Sequence, residues 1–573
     1  MSRIHAAFLI AIAAGLSATG PDGAWAETFD IVIRGGEIVD GTGRDAYRAD
    51  IGIRGQRIAF IGPLDDARAK EIIDATGLTV VPGFIDLHSH ADGPSAGSGL
   101  RSYNPRRRAA PNQIAQGVTT VVVNQDGRSP LNLARQRAQL NRRGTAPNVA
   151  IMVGHNSIRR VVMKDDYKRP ATTSEIEAMA GLVRQGMKAG AFGMTAGLEY
   201  VPGIWSTTDE LVALVKEITP FGGVYIVHER SSGADPMWYV PSHDASPQPT
   251  MLDSIMETID IARRTGATVV ATHIKARGAP YWGASAGIID AIQAARDDGL
   301  RIYADQYPYR SSGSDGSFTL LPHWLLKEYD GAGTDYVGAL KAARAEPATN
   351  ALLVTDIRHQ IARRGGAENI VVLDHPDRGL IGKSLDDIAK AYGISADAAA
   401  VNLQFSGYPK LFGGARIRGY SMSEKDIESF LVRPWVATAS DSGVVLPSDR
   451  SVHPRHYGTF PRKIRRYALD SDLLSVPQAI RSMTSLPAEI LGIPDRGAIK
   501  VGRYADLALL DLETLRDKST YFTPHRYPEG VVHVLINGKL VVRDAILLWT
   551  LPGTVLEPVT PPVRREPRLI DTD

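Results

Sequence analysis

The sequence predicts an α/β protein, a (β/α)8 barrel of the TIM type joined to a small β-sandwich domain built from both terminal segments. Eight apolar strand candidates support this prediction, and they end near His88, Val123, His155, Thr195, His228, His273, Tyr307 and Asp441. Amphipathic stretches with helical spacing follow most of them, as at residues 174–189, 208–218 and 252–265. Strands that alternate with helices favour a parallel sheet, and eight such units over about 400 residues favour a closed barrel.

Residues 1–26 have the pattern of a secretory signal peptide. Arg3 precedes a run of small and apolar residues at 6–16, and Ala24-Trp25-Ala26 offers a cleavage site. We therefore expect export to the periplasm or to the medium. The chain contains no cysteine, which excludes disulfide bonds and thiolate metal ligands.

The rest of the chain divides into a small β domain, a barrel and a tail. Residues 27–82 and 483–552 carry short alternating strands with glycine turns, including an Asn537-Gly538 hairpin turn, and we expect them to share one sheet domain. Residues 83–482 form the barrel, with an insertion at about residues 311–419 between strands seven and eight. Residues 553–573 form a proline-rich tail, which we expect to be extended.

The composition indicates a globular protein. The chain is 43% hydrophobic and 22% charged, as is typical of such proteins. Its net charge of +2 gives no basic excess for a nucleic-acid partner. After the signal peptide no apolar stretch approaches the length that spans a bilayer, so we expect no membrane partner. The oligomeric state is left open.

Histidines and one aspartate mark the ends of the predicted barrel strands. His88 and His90 stand two residues apart, and alternate residues of a strand face the same side. Later strands end in His228, His273 and Asp441, at the rim where barrel active sites form. Converging imidazoles and carboxylates bind divalent metals such as zinc. The sequence therefore predicts a metal centre at the barrel mouth.

The motifs around these residues are specific to one family rather than to barrels in general. They lie at residues 83–90, 116–123, 190–203, 272–275, 304–309, 421–424, 440–441, 453–460, 483–488 and 528–530. Together they resemble the amidohydrolase superfamily and, within it, the D-aminoacylase (N-acyl-D-amino-acid deacylase) family. The resemblance extends from about Phe29 to Leu540.

The resemblance implies one or two zinc ions per chain. His88 and His90 would hold one ion with Asp441, while His228 and His273 would hold the second position. Asp441 would take a proton from a metal-activated water and pass it to the leaving amine, acting first as base and then as acid. An alternative for Asp441 is a helix N-cap, but its position after strand eight favours catalysis.

One position departs from the family pattern. Family members often have Asn-Cys-Gly after strand two, with the cysteine as a zinc ligand, whereas residues 124–127 here read Asn-Gln-Asp-Gly and place Asp126 there. A carboxylate oxygen is also a zinc ligand. Glu199, beyond strand four, is a second candidate, because other amidohydrolases take a bridging carboxylated lysine from that strand. We expect Glu199 or Asp126 to bridge the metals, with a slight preference for Glu199; a loop turn or cap is the alternative for either.

Substrate recognition is expected around the ends of strands six and seven. Family members bind the free carboxylate of an N-acyl-amino acid beside the metals, and Lys275 shares a strand face with His273. Tyr307, Tyr309 and Ser312 fit the family's polar contacts, although each tyrosine could instead be packed in the core. Further carboxylate candidates are Arg310, Arg418, His453 and Arg455, and His155 is expected to support a ligand.

The predicted function is zinc-dependent hydrolysis of the amide of N-acyl-D-amino acids, or of dipeptides with a D-residue. The D preference comes from the resemblance alone. A cyclic-amide hydrolase of the hydantoinase or dihydroorotase type is the alternative, but the lysine usual at the end of strand four is missing. A deaminase fits less well, because residues 228–230 lack the usual spacing of its glutamate. A non-catalytic barrel scaffold would usually have lost the metal ligands.

Overall fold

The computed structural model describes residues 28–65, 67–95, 97, 99–313, 318–329, 335–449 and 452–559. The predicted signal peptide and residues 560–573 of the predicted tail lie outside these ranges. Among the described residues, no helix combines the length and the apolar character needed to cross a bilayer.

Two sheets of short strands are built from the ends of the chain. The four-stranded sheet has the order β5-β4-β1-β6 and the seven-stranded sheet has the order β24-β23-β22-β21-β7-β2-β3. The strands are β1 (Thr28–Arg34), β2 (Glu37–Ile38), β3 (Tyr47–Arg48), β4 (Asp50–Arg54), β5 (Arg57–Gly62), β6 (Arg68–Asp74), β7 (Thr79–Pro82), β21 (Leu507–Leu510), β22 (Val531–Ile536), β23 (Lys539–Arg543) and β24 (Ile546–Leu547).

Segments from both ends of the chain meet within the larger of these sheets. Strand β7 runs antiparallel to β21, with Val81 opposite Ala508. Residues of both sheets, among them Ile33, Ile53 and Leu535, belong to one buried apolar cluster. The predicted hairpin turn between β22 and β23 is confirmed: Asn537 and Gly538 have φ values of 50° and 72°, which suit a tight two-residue turn.

A series of parallel strands forms the centre of the molecule. One sheet has the order β11-β10-β8, and a second has the order β12-β13-β14-β15-β16-β19. Their bounds are β8 (Phe84–Asp86), β10 (Val118–Val123), β11 (Asn148–Ile151), β12 (Val153–Gly154), β13 (Gly193–Gly197), β14 (Val224–His228), β15 (Thr268–Ala271), β16 (Ile302–Gln306) and β19 (Val436–Thr438). Nearly all their residues are buried, as expected for parallel strands covered on both faces.

A one-residue connection, a strand pair and a hydrogen bond link the two parallel sheets. Only Met152 separates β11 from β12. After β8 and β19, the two-residue strands β9 (Ser89–His90) and β20 (Ser442–Gly443) pair in parallel. The Asp441 N–H also donates to the His88 carbonyl at 2.9 Å. The carboxyl ends of β8 and β19 are therefore adjacent, and the side chains that follow these two strands lie together.

Helices follow most of the parallel strands, and several of them pack against these strands. They are α1 (Pro105–Arg108), α2 (Pro111–Ile114), α3 (Leu133–Arg143), α4 (His155–Met163), α5 (Thr173–Lys188), α6 (Thr208–Lys216), α7 (Met251–Thr265), α8 (Ser285–Asp297), α14 (Glu424–Leu431), α15 (Arg455–Arg462), α16 (Val476–Met483) and α17 (Ser485–Leu491). A π-helix at Lys463–Asp470 continues α15. The local sequence determines where several helices begin. For example, Thr172 and Glu175 form a capping box at the N-terminus of α5.

The segment between β16 and β19 contains a further group of elements. They are α9 (Trp324–Tyr329), α10 (Tyr336–Ala345), α11 (Pro347–Arg363), β17 (Val371–Asp374), α12 (Leu385–Tyr392), α13 (Ala396–Ser406) and β18 (Arg416–Arg418). Strands β17 and β18 pair antiparallel. These elements bury an apolar cluster of their own, which includes Leu325, Leu353 and Ile417.

Candidate metal centre

Six side chains with metal-binding atoms converge at the carboxyl ends of the parallel strands. His88 and His90 follow β8, Asp126 follows β10, His228 ends β14, His273 follows β15 and Asp441 follows β19. All but His90 are less than 9% exposed. The carboxyl ends of parallel strands meet at one edge of the sheet, so residues distant in sequence become neighbours here.

One group of donor atoms consists of His88, His90 and Asp441. His88 Nε2 lies 3.3 Å from His90 Nε2 and 3.6 Å from Asp441 Oδ1. His90 Nε2 lies 3.0 Å from the same aspartate oxygen. Ligand atoms at about 2.1 Å from a tetrahedral zinc ion are roughly 3.4 Å apart, so these spacings match a zinc ligand set.

The carboxylate of Asp126 lies between this group and the other two histidines. Its Oδ2 is 3.4 Å from His90 Nε2, and its Oδ1 is 3.6 Å from His88 Nε2. The same Oδ1 is 3.5 Å from His228 Nδ1 and 3.9 Å from His273 Nε2. Asp126 Oδ1 is buried and has no hydrogen-bond partner among the residues that the structure describes. Leaving a buried charged acceptor unpaired is costly, and a divalent cation on either side of Asp126 would remove that cost.

Glu199 lies outside this arrangement, on the opposite side of the His228 ring. Its Oε2 is 2.9 Å from His228 Nε2, while its Oε1 accepts from Arg277 at 2.9 Å and from the Met237 N–H. The preference for Glu199 as the bridging residue does not match this geometry. Glu199 stands two residues past the end of β13, where Arg277 and the Met237 N–H hold its carboxylate away from Asp126. It therefore orients His228.

A hydrogen-bonded chain behind His88 selects the tautomer of that ring. His88 Nδ1 lies 2.5 Å from Thr272 Oγ1, and the Thr272 hydroxyl donates to Asp305 Oδ2 at 2.8 Å. A hydroxyl has one hydrogen, so Thr272 must accept from His88 Nδ1–H. The lone pair of His88 is then on Nε2, which faces Asp126 and Asp441. The sequence analysis missed Thr272 and Asp305, although both lie in motifs that it named.

The protonation states of the histidines follow from burial and from neighbouring carboxylates. Burial lowers the pKa of His88 to about 4 and lowers the pKa of His273 well below its ordinary value. For His228, the carboxylates of Asp126 and Glu199 outweigh burial and raise the pKa to about 9. Two rings are thus neutral and ready to bind a cation, while His228 must lose a proton to do so.

Asp441 is held from two sides. Its Oδ1 faces His90, and its Oδ2 accepts from Arg455. Burial opposes ionisation, but the Arg455 guanidinium and His90 keep the pKa of Asp441 well below its usual range. The residues after Asp441 form β20, so the alternative role as a helix cap does not apply.

A cavity of about 160 Å³ opens over these groups. Of the predicted substrate-binding residues, Lys275, Tyr307 and Ser312 line it, as does Arg455. Lys275 Nζ lies 2.8 Å from His273 Nδ1, and burial lowers the pKa of Lys275 to about 8. Lining residues that the sequence analysis missed are Tyr200, Ser232, Met237, Arg277 and Gly313. Strand β15 ends at Ala271, so strand alternation gave no signal for Arg277.

The remaining residues that were predicted to bind substrate or to support a metal ligand contact groups outside the metal cluster. The ring of Tyr309 packs 5.2 Å from that of His453, and Tyr309 is not among the described residues that line the cavity. The Arg310 and Arg418 guanidinium groups lie over the ring of Tyr420. His453 Nε2 lies 3.1 Å from the Ser311 carbonyl oxygen. His155 bonds to Glu210 at 2.8 Å, in a buried pair that does not include a residue of the metal cluster.

Histidines and carboxylates gathered at the ends of parallel strands define the candidate metal centre of a metal-dependent enzyme. The amidohydrolase family model matches residues 71–217 and 423–542. A D-aminoacylase from Alcaligenes xylosoxydans xylosoxydans is 31% identical over 92% of this chain and 98% of the relative. The chain therefore belongs to the amidohydrolases and, among them, to the D-aminoacylase family.

Solved structures agree with this assignment. A D-aminoacylase crystal structure, described as defining a novel subset of amidohydrolases, has a TM-score of 0.70 and 29% identity, covering 92% of this chain and 100% of that one. An N-acyl-D-glutamate deacylase from Bordetella bronchiseptica, complexed with zinc and a phosphonate inhibitor, has a TM-score of 0.70 and 27% identity, covering 93% and 100%.

Proposed function

We propose that the protein hydrolyses the amide bond of N-acyl-D-amino acids, or of dipeptides with a D-residue, with zinc as the cofactor. The observation that carries the proposal is the position of Asp126, whose unpaired oxygen lies within 3.9 Å of nitrogen atoms of three histidines. The D-aminoacylase and the zinc-bound deacylase among its relatives support the same reaction class.

In this proposal His88, His90 and Asp441 would hold one zinc position, and His228 and His273 would hold a second. Asp126 would contribute its carboxylate to both positions, while Glu199 keeps Nδ1 of His228 directed at Asp126. The spacing of the donor atoms supports one or two ions per chain. Zinc, when bound, lowers the pKa of a water molecule and polarises an amide carbonyl.

Asp441 is the proposed proton carrier. Its low pKa keeps it ionised, so it can accept a proton from the attacking water. The amide nitrogen must then gain a proton as the C–N bond breaks, and Asp441 returns it. Arg455 holds Oδ2 of Asp441, which fixes the direction of the carboxylate throughout the transfer.

The substrate carboxylate is proposed to bind on the Lys275 side of the cavity. Lys275, Tyr307, Ser312 and Arg455 line this part together. Lys275 and Arg455 each place a cationic group near the Tyr307 ring, at 5.8 Å and 4.9 Å from its centre. Two cations on one wall favour an anionic group at the amino-acid end of the substrate.

A panel of N-acetyl-D- and N-acetyl-L-amino acids, with zinc content measured in parallel, tests this function. We expect amine release from D substrates, loss of activity after chelation, and recovery with zinc. The Asp441→Asn variant should lose activity by about 10²–10⁴-fold because the proton carrier is removed. Hydrolysis of L substrates alone would refute the stereochemical assignment, cleavage of hydantoins alone would favour the cyclic-amide alternative, and a metal-free native protein would favour a scaffold.

We also propose that the parallel strands, which number eight when β11 and β12 are counted as one, close into a barrel and that the terminal segments form a β-sandwich domain. Pairing of β9 with β20 supports closure, and the cluster shared by the two terminal sheets supports the sandwich. The domain limits at residues 82, 482 and 552 stay predictions. Export to the periplasm or the medium is likewise proposed, on the pattern of residues 1–26.

A further inference from the structure

Arginines and exposed aromatic rings lie together on one outer surface of the molecule. The Arg143 guanidinium carbon lies 4.1 Å from the centre of the Tyr103 ring, and that of Arg106 lies 5.7 Å from the centre of the Trp549 ring. Tyr103 is 85% exposed and Trp549 is 47% exposed. These four residues, with the exposed Arg142, form a surface that we call the arginine–aromatic patch.

Three segments of the chain are tied together to form the patch. They are the turn and short helix at residues 101–108, the end of α3, and the segment after β24. Arg143 donates to the Arg101 carbonyl, which joins the first two segments. The Gly553 N–H donates to the Thr145 carbonyl at 2.8 Å, which joins the third. The rings and guanidinium groups are therefore held side by side by backbone that is itself anchored.

The positive charge of the patch is not offset by neighbouring carboxylates. Arg107 is adjacent in sequence and pairs with Asp449, to which it donates at 2.9 Å. Among the residues that the structure describes, Arg106, Arg142 and Arg143 form no such pair. A guanidinium that lies over an aromatic ring keeps its charge, since the ring face attracts the cation without neutralising it. The patch therefore carries uncompensated positive charge.

Aliphatic side chains extend this surface beside Trp549. Ile546 is 66% exposed and Leu548 is 37% exposed. Ile546 lies in β24, the edge strand of the seven-stranded sheet, and Leu548 and Trp549 follow that strand directly. Apolar side chains that are exposed together, with charged groups around them, are typical of an interaction surface.

The patch lies at the opposite end of the parallel strands from the metal centre. Arg143 ends α3, and only residues 144–147 separate it from the beginning of β11 at Asn148. The patch is thus near the amino ends of the strands, whereas the candidate metal ligands follow their carboxyl ends. A partner bound to the patch would leave the metal pocket open.

We propose that the arginine–aromatic patch docks the protein on the surface of a lipid bilayer that contains anionic headgroups. Arginine binds phosphate groups through paired N–H donors, and tyrosine and tryptophan rings are enriched at the level of the headgroups. The absence of a spanning stretch, on which the expectation of no membrane partner was based, does not bear on such a contact. Docking needs only cations and a shallow apolar surface.

A soluble polyanion, such as a nucleic acid, is the competing partner. It would use the same arginines but would leave Ile546 and Leu548 exposed to water. Nucleic-acid binding also favours a strong basic excess, and the net charge of the chain is only +2. The exposed aliphatic residues beside the cations therefore favour the bilayer.

Flotation with lipid vesicles tests the proposal. The protein is used without residues 1–26, because their apolar stretch would itself bind lipid; every described helix and strand begins at Thr28 or later. Vesicles contain phosphatidylcholine with or without phosphatidylglycerol. We expect binding to the phosphatidylglycerol vesicles and little binding to phosphatidylcholine alone. Added salt should weaken the binding because it screens the attraction between arginine and headgroup.

Three variants locate the contact. Arg106→Glu combined with Arg143→Glu should reduce vesicle binding by about 25-fold or more, at about fivefold for each arginine lost. Trp549→Ala should reduce it by about 10-fold, because the apolar part of the contact is lost. Arg48→Glu combined with Arg378→Glu is the matched control. It changes the net charge equally at two exposed arginines, one in β3 at the opposite edge of the sheet from β24 and one between β16 and β19.

Each outcome decides the proposal. Weaker binding in the Arg106/Arg143 variant and in Trp549→Ala, with the control close to the parent, supports it. Binding that falls with the two arginines but not with Trp549→Ala would assign the patch to a soluble polyanion instead. An equal loss in the control, or no binding to phosphatidylglycerol vesicles by the parent, would overturn the docking surface. Zinc content and amide hydrolysis are measured alongside and should match the parent in all three variants, so this test is separate from that of the proposed function.

Discussion

Thr272→Val removes the hydroxyl that connects His88 to Asp305 while preserving the shape of the side chain. Thr272 is 1% exposed, and its hydroxyl makes two buried contacts, with His88 Nδ1 and with Asp305 Oδ2. At about 0.5–1.5 kcal/mol for each hydrogen bond, the loss is about 1–3 kcal/mol. Much of this free-energy loss should appear as weaker zinc binding, because His88 is no longer held in the tautomer with its lone pair on Nε2. We expect a roughly 10- to 100-fold weaker zinc affinity.

The assay is competition for zinc against a chromophoric chelator at fixed pH, with the unfolding temperature of the metal-free protein measured alongside. Thr120→Val is the matched control. Thr120, in β10, is likewise buried, but its hydroxyl has no hydrogen-bond partner among the described residues, so its replacement should leave zinc affinity unchanged. Equal zinc affinities for Thr272→Val and the parent would refute the proposed role of the hydroxyl in orienting His88.

Three further predictions concern the metal centre. Asp126→Ala should lose at least one zinc ion by elemental analysis, whereas Asp126→Cys should retain zinc through a thiolate; full occupancy in Asp126→Ala would exclude bridging. Glu199→Gln should keep the zinc stoichiometry but weaken affinity about 10-fold or more, and loss of an ion would instead make Glu199 a ligand. Since the pKa of His228 is about 9 without metal, zinc binding at pH 7.5 should release a proton, measurable by calorimetry in buffers of different ionisation enthalpy. Zinc affinity should rise with pH up to about 9; a flat profile would contradict this assignment.

The same pKa shift has a consequence for the metal-free protein. The carboxylates raise the folded-state pKa of His228 above its ordinary value, so the protonated ring stabilises the fold. That contribution is fully present below about pH 6.5 and declines as the pH rises through 9. The zinc-loaded protein should lack this decline, because the metal replaces the proton.

The strand-end histidines were predictable because alternation along a strand fixes where a side chain points. His88 and His228 follow or end buried apolar strands, and parallel strands place their carboxyl ends together. The choice between Asp126 and Glu199 was not predictable in this way. Both stand in loops beyond the strand ends, where the direction of a side chain depends on its partners. For Glu199 those partners are Arg277 and the Met237 N–H, which come from distant parts of the chain.

A second cavity, of about 740 Å³, shares Met237 and Arg277 with the metal pocket and was likewise not predictable from sequence patterns. Its walls combine a loop after β14 with a segment more than 70 residues further along the chain. Apolar residues such as Val240 and Leu321 carry no periodic signal that distinguishes a cavity wall from a core. Only the folded structure brings them around a shared space.

Anomalous diffraction at the zinc edge from crystals of the zinc-loaded protein tests the central claim most directly. The account predicts a zinc peak about 2.1 Å from His88 Nε2, His90 Nε2, an oxygen of Asp441 and an oxygen of Asp126. Any second peak should lie beside His228 Nδ1 and His273 Nε2. A zinc peak bound away from Asp126, or a fully loaded protein with Asp126 outside bonding distance of every zinc ion, would contradict it.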